Sequence, residues 1–336
     1  MRRYNFSYEL LDSRLKSIKN IYPKSCSIDY DSLATLKISA NITIKDDEKN
    51  YNDMNIAIKD NDEVVATVLV STSSRDRHAK TRTLTCYDRC IILEQDKLTD
   101  SIVIPAFTNI VKYVSNMLKE YDNAFSLIES NATNKADIFF QVGTSKIEVI
   151  NYLLNLINYS SLLTDKHGVF YAKKYVLPSE RNVEITYSDD INTSIVYRDV
   201  RQEQDLFNVP NVFVRTTNNA AINPPLKAIY ENNNPDSVAS TASRGRRIVN
   251  FKEVDNVTDS DTLFEITKKE AYQASDIYEN IEINTAINTK HWYLNCIAIN
   301  LKTFNINDKY IETSWSIDNL KAGGKMKHKM RRIIHV

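Results

Sequence analysis

Glycine is nearly missing from this sequence. Five residues, Gly143, Gly168, Gly245, Gly323 and Gly324, serve 336 positions. The dinucleotide fingerprint and the P-loop both need several residues without a Cβ in one short turn, and neither can be written with these five. Nucleotide-dependent enzymes of those two kinds are excluded. Cysteine is scarce as well: Cys26, Cys86, Cys90 and Cys296 include no Cys-x-x-Cys pair. They read as reduced, buried small hydrophobes of a protein made in a cytoplasm, not as a disulfide framework. The five histidines, His78, His167, His291, His328 and His335, stand singly along the chain, so no metal centre is expected. Excess charge is also lacking. Lys plus Arg and Asp plus Glu number 43 each, so no global field draws the chain toward nucleic acid or an anionic membrane. No window approaches the roughly 20 apolar residues of a transmembrane helix. The first residues carry two arginines with no apolar run behind them, unlike a signal peptide. Neither membrane insertion nor a cofactor is expected.

What the chain does contain is an ordinary globular composition, 42% hydrophobic and 26% charged, at a length that suits two or three compact units. From Leu36 to Lys45, Leu36, Ile38, Ala40, Ile42 and Ile44 alternate with polar residues. That period of two predicts a strand with one buried face and one wetted face. Residues 63–74 and 80–93 are β-rich in the same way, so residues 1–104 are expected to form a β domain. The period then lengthens. Ile110, Val114, Met117 and Tyr121 make a helical stripe, and Ser145 to Glu148 is a capping box ahead of a second helix with Ile147, Ile150, Leu154 and Ile157 on its apolar face. A hairpin turning at Asp165 to Gly168 follows, giving an α/β insert over 105–182. β character returns over 183–336, with one helix predicted over Asp261 to Tyr278. Near the end, Ile311, Thr313, Trp315 and Ile317 are expected on one face and Glu312, Ser314, Ser316 and Asp318 on the other. A turn at Gly323-Gly324 leads into a basic strand. The fold class is α+β, mainly β.

Catalysis needs a nucleophile with its base, or paired acids in a cleft. The pairs Asp46-Asp47 and Asp189-Asp190 sit in turn-like stretches, where solvated loop residues are the commoner explanation. His167 reads as a turn residue and His328 as a core-edge residue between Met326 and Met330. No catalytic residue is assigned, and the chain is not expected to be an enzyme. Basic residues cluster twice: Arg244, Arg246 and Arg247 in one loop, and Lys325, Lys327, Lys329, Arg331 and Arg332 at the end. Alternation places the three lysines on one strand face, able to follow a phosphate backbone or simply to be solvated. The 19 tyrosines fit sheet packing at least as well as a carbohydrate-binding surface. In the stretch 231–251, Asn232 to Pro235 favours turns and Gly245 permits a left-handed backbone, which predicts an ordered connector whose arginines suit an interface.

Several segments carry a resemblance when taken in order: residues 25–47, 86–111, 143–181, 205–214, 232–249 and 310–333. They resemble the baseplate hub proteins of contractile phage tails and the amino-terminal part of the tail-tip proteins of long flexible tails. The resemblance implies two tube-like antiparallel β-barrel domains with an α/β insert, closed into a homotrimeric ring. It implies as partners the tail tube or distal tail protein, the tape-measure protein and a spike or tip protein, with DNA passing transiently through the lumen. It also implies a place in the virion tail baseplate. The eight clustered cations are then interface or channel candidates. Some members carry a cell-wall hydrolase further along; with the sequence ending at Val336, a member without one is expected. The alternatives are a tail-tip cell-wall hydrolase and a host-glycan-binding protein.

Overall fold

A computed structural model describes residues 4–121, 125–177, 180–189, 194–204, 206–217, 224–254, 257, 259–275 and 279–332. The first seven strands are β1 (Phe6–Leu11), β2 (Ser17–Ile21), β3 (Ser25–Asp31), β4 (Ile38–Lys45), β5 (Asn55–Asp60), β6 (Glu63–Asp76) and β7 (Thr81–Tyr87). They run β3-β4-β7-β6-β5-β1-β2 across one sheet, each antiparallel to its neighbour. The alternation of β4 does what its sequence predicts: Ile38, Ala40, Ile42 and Ile44 are buried, while Asn41 and Lys45 are exposed. β5 and β6 join through Asn61 and Asp62, both at positive φ (48° and 71°). A two-residue hairpin requires that conformation, and Asn and Asp adopt it at low cost. The core beneath this wall also holds Ile287, Trp315, Ile317, Leu320 and Met326 from the far end of the chain.

The reading of 80–93 as one strand fails after Tyr87. The chain turns there into α1 (Ile91–Gln95). The buried Asp88 carboxylate accepts from the backbone N–H groups of Lys37, Ile38 and Cys90 at 2.6, 3.0 and 2.9 Å. A side chain that satisfies three amides competes directly with the ladder and ends it. Next come β8 (Ile102–Ile104), α2 (Ile110–Leu118), β9 (Phe125–Leu127), β10 (Ile138–Phe140), α3 (Lys146–Leu156), β11 (Leu163–Thr164) and β12 (Phe170–Ala172). Asn109 caps α2 and Ser145 caps α3, each side chain accepting from the third amide onward. The Asp165 carboxylate accepts from His167 and Val169 and closes the β11–β12 turn. These elements share a core running from Cys90 to Ala172.

The remaining elements are β13 (Ile185–Ser188), β14 (Val196–Gln204), β15 (Val212–Thr217), β16 (Lys227–Glu231), α4 (Thr241–Arg244), β17 (Val249–Val254), α5 (Ser260–Ser275), β18 (Glu279–Ala286), β19 (Cys296–Leu301), β20 (Ile306–Ile317) and β21 (Lys325–Arg332). The predicted helix from Asp261 is α5; its last predicted residues, 276–278, lie outside the described residues. A small sheet, β16-β15-β17, packs against α5, and Arg215 is buried between Glu270 and Asn250. β18, β21 and β20 form an antiparallel wall. The first part of β20 pairs with β19 and its last part with β3. One long strand therefore belongs to both walls.

The mainly β architecture with antiparallel sheets and an α/β insert is as the sequence reads. Two separate closed barrels are not seen: among the described residues the walls form one open thirteen-stranded sheet. Sharing β20 makes the sheet continuous and leaves β14 and β2 at the ends of its path. At Gly324 there is no room for a side chain. A Cβ there would meet Asn319 O and Ile287 Cδ1, both at 2.7 Å, so the β20–β21 turn depends on glycine.

Candidate assembly surfaces and a buried polar seam

The connector 231–251 is ordered by short polar contacts. Asn234 N–H bonds to Asn232 Oδ1, Asp236 N–H to Asn234 Oδ1, and Asn232 Nδ2 donates to Ser237 Oγ. Ser240 caps the one-turn α4, and Gly245, at φ 61°, ends it in the left-handed conformation that its sequence suggests. The arginines serve their own chain. Arg244 donates to the carbonyls of Val209 and Phe207, Arg246 to that of Phe207 while lying over its ring, and Arg247 pairs with Glu231 at 3.2 Å. Buried Asn211 completes the clamp, donating to Arg246 O and accepting from Ile248 N–H.

β21 alternates as read. Met326, His328 and Met330 are buried; Lys325, Lys327 and Lys329 are exposed on the opposite face. Lys327 and Lys329 reach Glu282 on β18, and Lys325 lies over the Tyr197 ring of β14. Arg332 pairs with Glu279 and Asp308, and the half-buried Arg331 leaves its Nε unpartnered. The wetted face continues across the sheet in one register row: Asn284, Lys327, Ser316, Asp29 and Ser39, from β18 through β21, β20 and β3 to β4. It is made of polar side chains of both signs of charge, all short except Lys327.

The described members of the acid pairs have separate partners. Asp46 faces Arg75 and Arg82, Asp47 accepts from the Tyr51 hydroxyl, and Asp189 accepts from Thr303 N–H and Oγ1. Its sequence neighbour, Asp190, lies outside the described residues, as does His335. His78 and His167 are exposed. A cleft of about 720 Å³ between the insert and α5 is lined by Lys135, Lys174, Lys268 and Lys269 beside Asp261 and Glu265. Lys269 is buried there, donates to Asn155 Oδ1 at 3.0 Å and lies over Tyr175; burial lowers its ammonium to about 8.

The singly spaced histidines are misleading in one place, and the face assignment along β20 is reversed there. Between Glu312 and Ser314 the register with β21 slips by one residue. Because side chains alternate with period two, the bulge turns Glu312 onto the same face as Trp315, and Glu312 is fully buried. Its two carboxylate oxygens accept from, or share a proton with, two imidazoles. Oε2 is 2.5 Å from His291 Nδ1 and Oε1 is 2.6 Å from His328 Nδ1. His291 Nε2 lies 2.6 Å from the Tyr187 hydroxyl, and His328 Nε2 lies 2.8 Å from Thr285 Oγ1. The two rings are 4.6 Å apart between centroids. These are hydrogen-bond distances. Two donors bound to one ion at ~2.1 Å each would sit about 3.0 Å apart at an octahedral angle and about 3.4 Å at a tetrahedral one, both longer than the contacts here, so we assign the cluster to a hydrogen-bonded network and not to a coordination sphere. Burial raises Glu312 to about 7 and lowers His291 to about 3; it also lowers His328, against the opposing pull of the carboxylate. The apolar parity of β21 already marked His328. Glu312, His291, Tyr187 and Thr285 carried no comparable signal.

No family model matches the chain, and no curated protein matches it significantly in sequence. Solved structures do match over its whole length. A tail protein from Neisseria meningitidis MC58 covers 98% of this chain and 97% of its own, at TM-score 0.71 and 12% identity. The 43 kDa tail protein of prophage MuSo2 from Shewanella oneidensis covers 97% of each chain, at TM-score 0.65 and 12% identity. The c3393 protein of E. coli is described as a type VI secretion component similar in structure to the bacteriophage T4 tail proteins gp27 and gp5. It covers 94% of this chain and 75% of its own, at TM-score 0.54 and 9% identity. The chain has the fold of these tail and secretion-system proteins.

Proposed function

We propose that this protein is a noncatalytic structural hub of a phage or phage-like tail baseplate. Three copies close a ring that adapts a hexameric tail tube or distal tail protein to a three-fold spike or tip. The observation that carries this reading is the end-to-end match, in which nearly the whole of both chains superposes on a tail protein with no large segment left over. The open sheet supports it. β14 and β2 end the sheet path, and ring closure would cover edges that a lone subunit leaves to water or to aggregation.

In this assembly each subunit contributes two tube-like units. They correspond to the wall over 1–104 and the wall over 183–336, with the insert 105–182 outside the ring. The row through Lys327 faces the lumen, where polar groups of both signs let DNA and the tape-measure protein pass without sticking. Lys325 and Lys329 flank that row along β21, Arg331 and Arg332 sit at the end of that strand, and the clamp of Arg244, Arg246 and Arg247 lies at a subunit contact. The protein is made in the host cytoplasm and resides in the virion tail. Sedimentation equilibrium of the full chain, alone and with its tube and spike proteins, tests the proposal. A mass three times that of the subunit is expected, and a monomer in the presence of both partners overturns it. The alternatives, a cell-wall hydrolase and a host-glycan binder, predict turbidity loss of purified cell walls and saturable glycan binding, respectively.

A further inference from the structure

The hydrogens in the buried seam can be counted. Thr285 Oγ1 lies 2.7 Å from Ala286 O, a carbonyl that can only accept, so its single hydroxyl hydrogen is spent there. Thr285 must then accept from His328 Nε2–H. On the other side of the same ring, Nδ1 lies 2.6 Å from Glu312 Oε1. A bare nitrogen lone pair facing a bare carboxylate oxygen at that distance would repel, so one proton lies between them, on one atom or the other. His291 differs. Its Nε2 lies 2.6 Å from the Tyr187 hydroxyl, which accepts from Asn288 Nδ2 and has its own hydrogen to give, and its Nδ1 lies 2.5 Å from Glu312 Oε2. With Tyr187 as the donor, that imidazole is neutral and carries its hydrogen on Nδ1, toward Glu312.

We propose that Glu312 and His328 share one buried proton, which makes the joint between the two β walls a proton-binding site that is firm near neutral pH and weakened in acid. The pair is net neutral with this proton and would bury an unbalanced charge on losing it or gaining a second, a state that costs several kcal/mol in a desolvated site. The location gives it leverage. Glu312 is on β20, the strand that both walls share; His328 is on β21, Thr285 on β18, Tyr187 on β13 and His291 in the segment after β18. Further charges act from the surrounding elements. Lys166, from the β11–β12 turn, donates to Thr289 O and opposes protonation of His291, whereas Glu184, before β13, favours it. Tyr30 on β3 feels the Glu312 carboxylate, and Tyr4, before β1, acts on Tyr187.

Glu312→Gln tests the assignment because an amide reproduces the network without the proton. Its carbonyl accepts from His291 and its NH₂ donates to His328 Nδ1, so the variant should fold. Unfolding takes up two protons on the histidines in mildly acid solution; the natural chain has already bound one in the folded state, and the variant has not. Between about pH 5 and 6 the folding constant of the full chain should therefore fall about tenfold per unit for the natural protein and about a hundredfold for Glu312→Gln. Identical slopes overturn the proposal. Independently, ¹⁵N spectra of histidine-labelled natural protein at pH 7 should show His328 protonated at Nε2 and His291 at Nδ1. A His328 ring with a bare Nε2, or one equivalent of bound metal by elemental analysis, also overturns it.

Discussion

The two β walls solve the same problem with different cores. Beneath the amino-terminal wall lie Leu10, Ile28, Ile42, Ile56, Ile58, Val68 and Leu84, apolar groups that need only to be kept dry. The carboxy-terminal wall buries Ile281, Ile283, Ile297, Ile299 and Met330, but it also encloses Glu279, Glu312, His291, His328 and Thr285. Dispersion and dehydration are indifferent to pH, whereas a buried carboxylate must be answered hydrogen by hydrogen. Glu279 shows the alternative answer. Burial alone would raise it, but bonds from Tyr310 and Gln202 and the charge of Arg332 outweigh burial and hold it below the usual carboxyl range. Glu279 is thus kept ionised by donors and a cation, while Glu312 is balanced by a proton shared with His328. The first wall also buries Asp60, Arg82 and Asp88, but answers them with amide donors, a backbone carbonyl and an ion pair, whereas in the second a shared proton takes part in the packing.

The sharpest way to break that contrast is Glu312→Ala. It strands two imidazoles in a dry site and should cost about 3–5 kcal/mol by chemical denaturation at pH 7. Leu84→Ala, in the first wall, should cost about 3 kcal/mol through the cavity it leaves, and the loss should be the same at pH 5 and pH 7. The natural protein should not be flat over that range. Its histidines, lowered by burial, favour folding less as pH falls from 6.5, each by up to one proton. Glu312, raised to about 7, acts in the opposite sense between 4.5 and 7. The balance is one proton taken up on unfolding, so stability should fall by about 1.4 kcal/mol per pH unit between roughly 6 and 5. A pH-independent melt would remove the difference between the walls. The smallest effect belongs to the wetted face: Lys327→Ser should change stability by less than about 0.5 kcal/mol, since the Lys327 side chain is itself more than half exposed in its pair with Glu282.

Much of the frame was legible wherever periodicity is local. The alternation of β4 and β21, the cap of α3 and the turn at Gly323-Gly324 each depend on residues within one element, and each stands where the sequence puts it. The strand reading failed at Tyr87 because the group that ends it, Asp88, works by reaching the amides of Lys37 and Ile38, some fifty positions away in the chain. The arginine cluster was visible as a cluster, yet its use was not. Two of its members go to backbone carbonyls of residues 207–209, which carry no charge signature.

The sequence by itself settled which residues avoid water where the pattern runs unbroken within one element, as in β4 and β21, because burial with a period of two is written in adjacent positions. It also excluded glycine-rich phosphate loops by composition alone. Only the tertiary structure decided that β20 serves both walls and that a one-residue bulge turns Glu312 inward between two histidines from distant segments. A bulge leaves the composition of its strand unchanged and acts through register, and register exists only between chain segments already brought side by side.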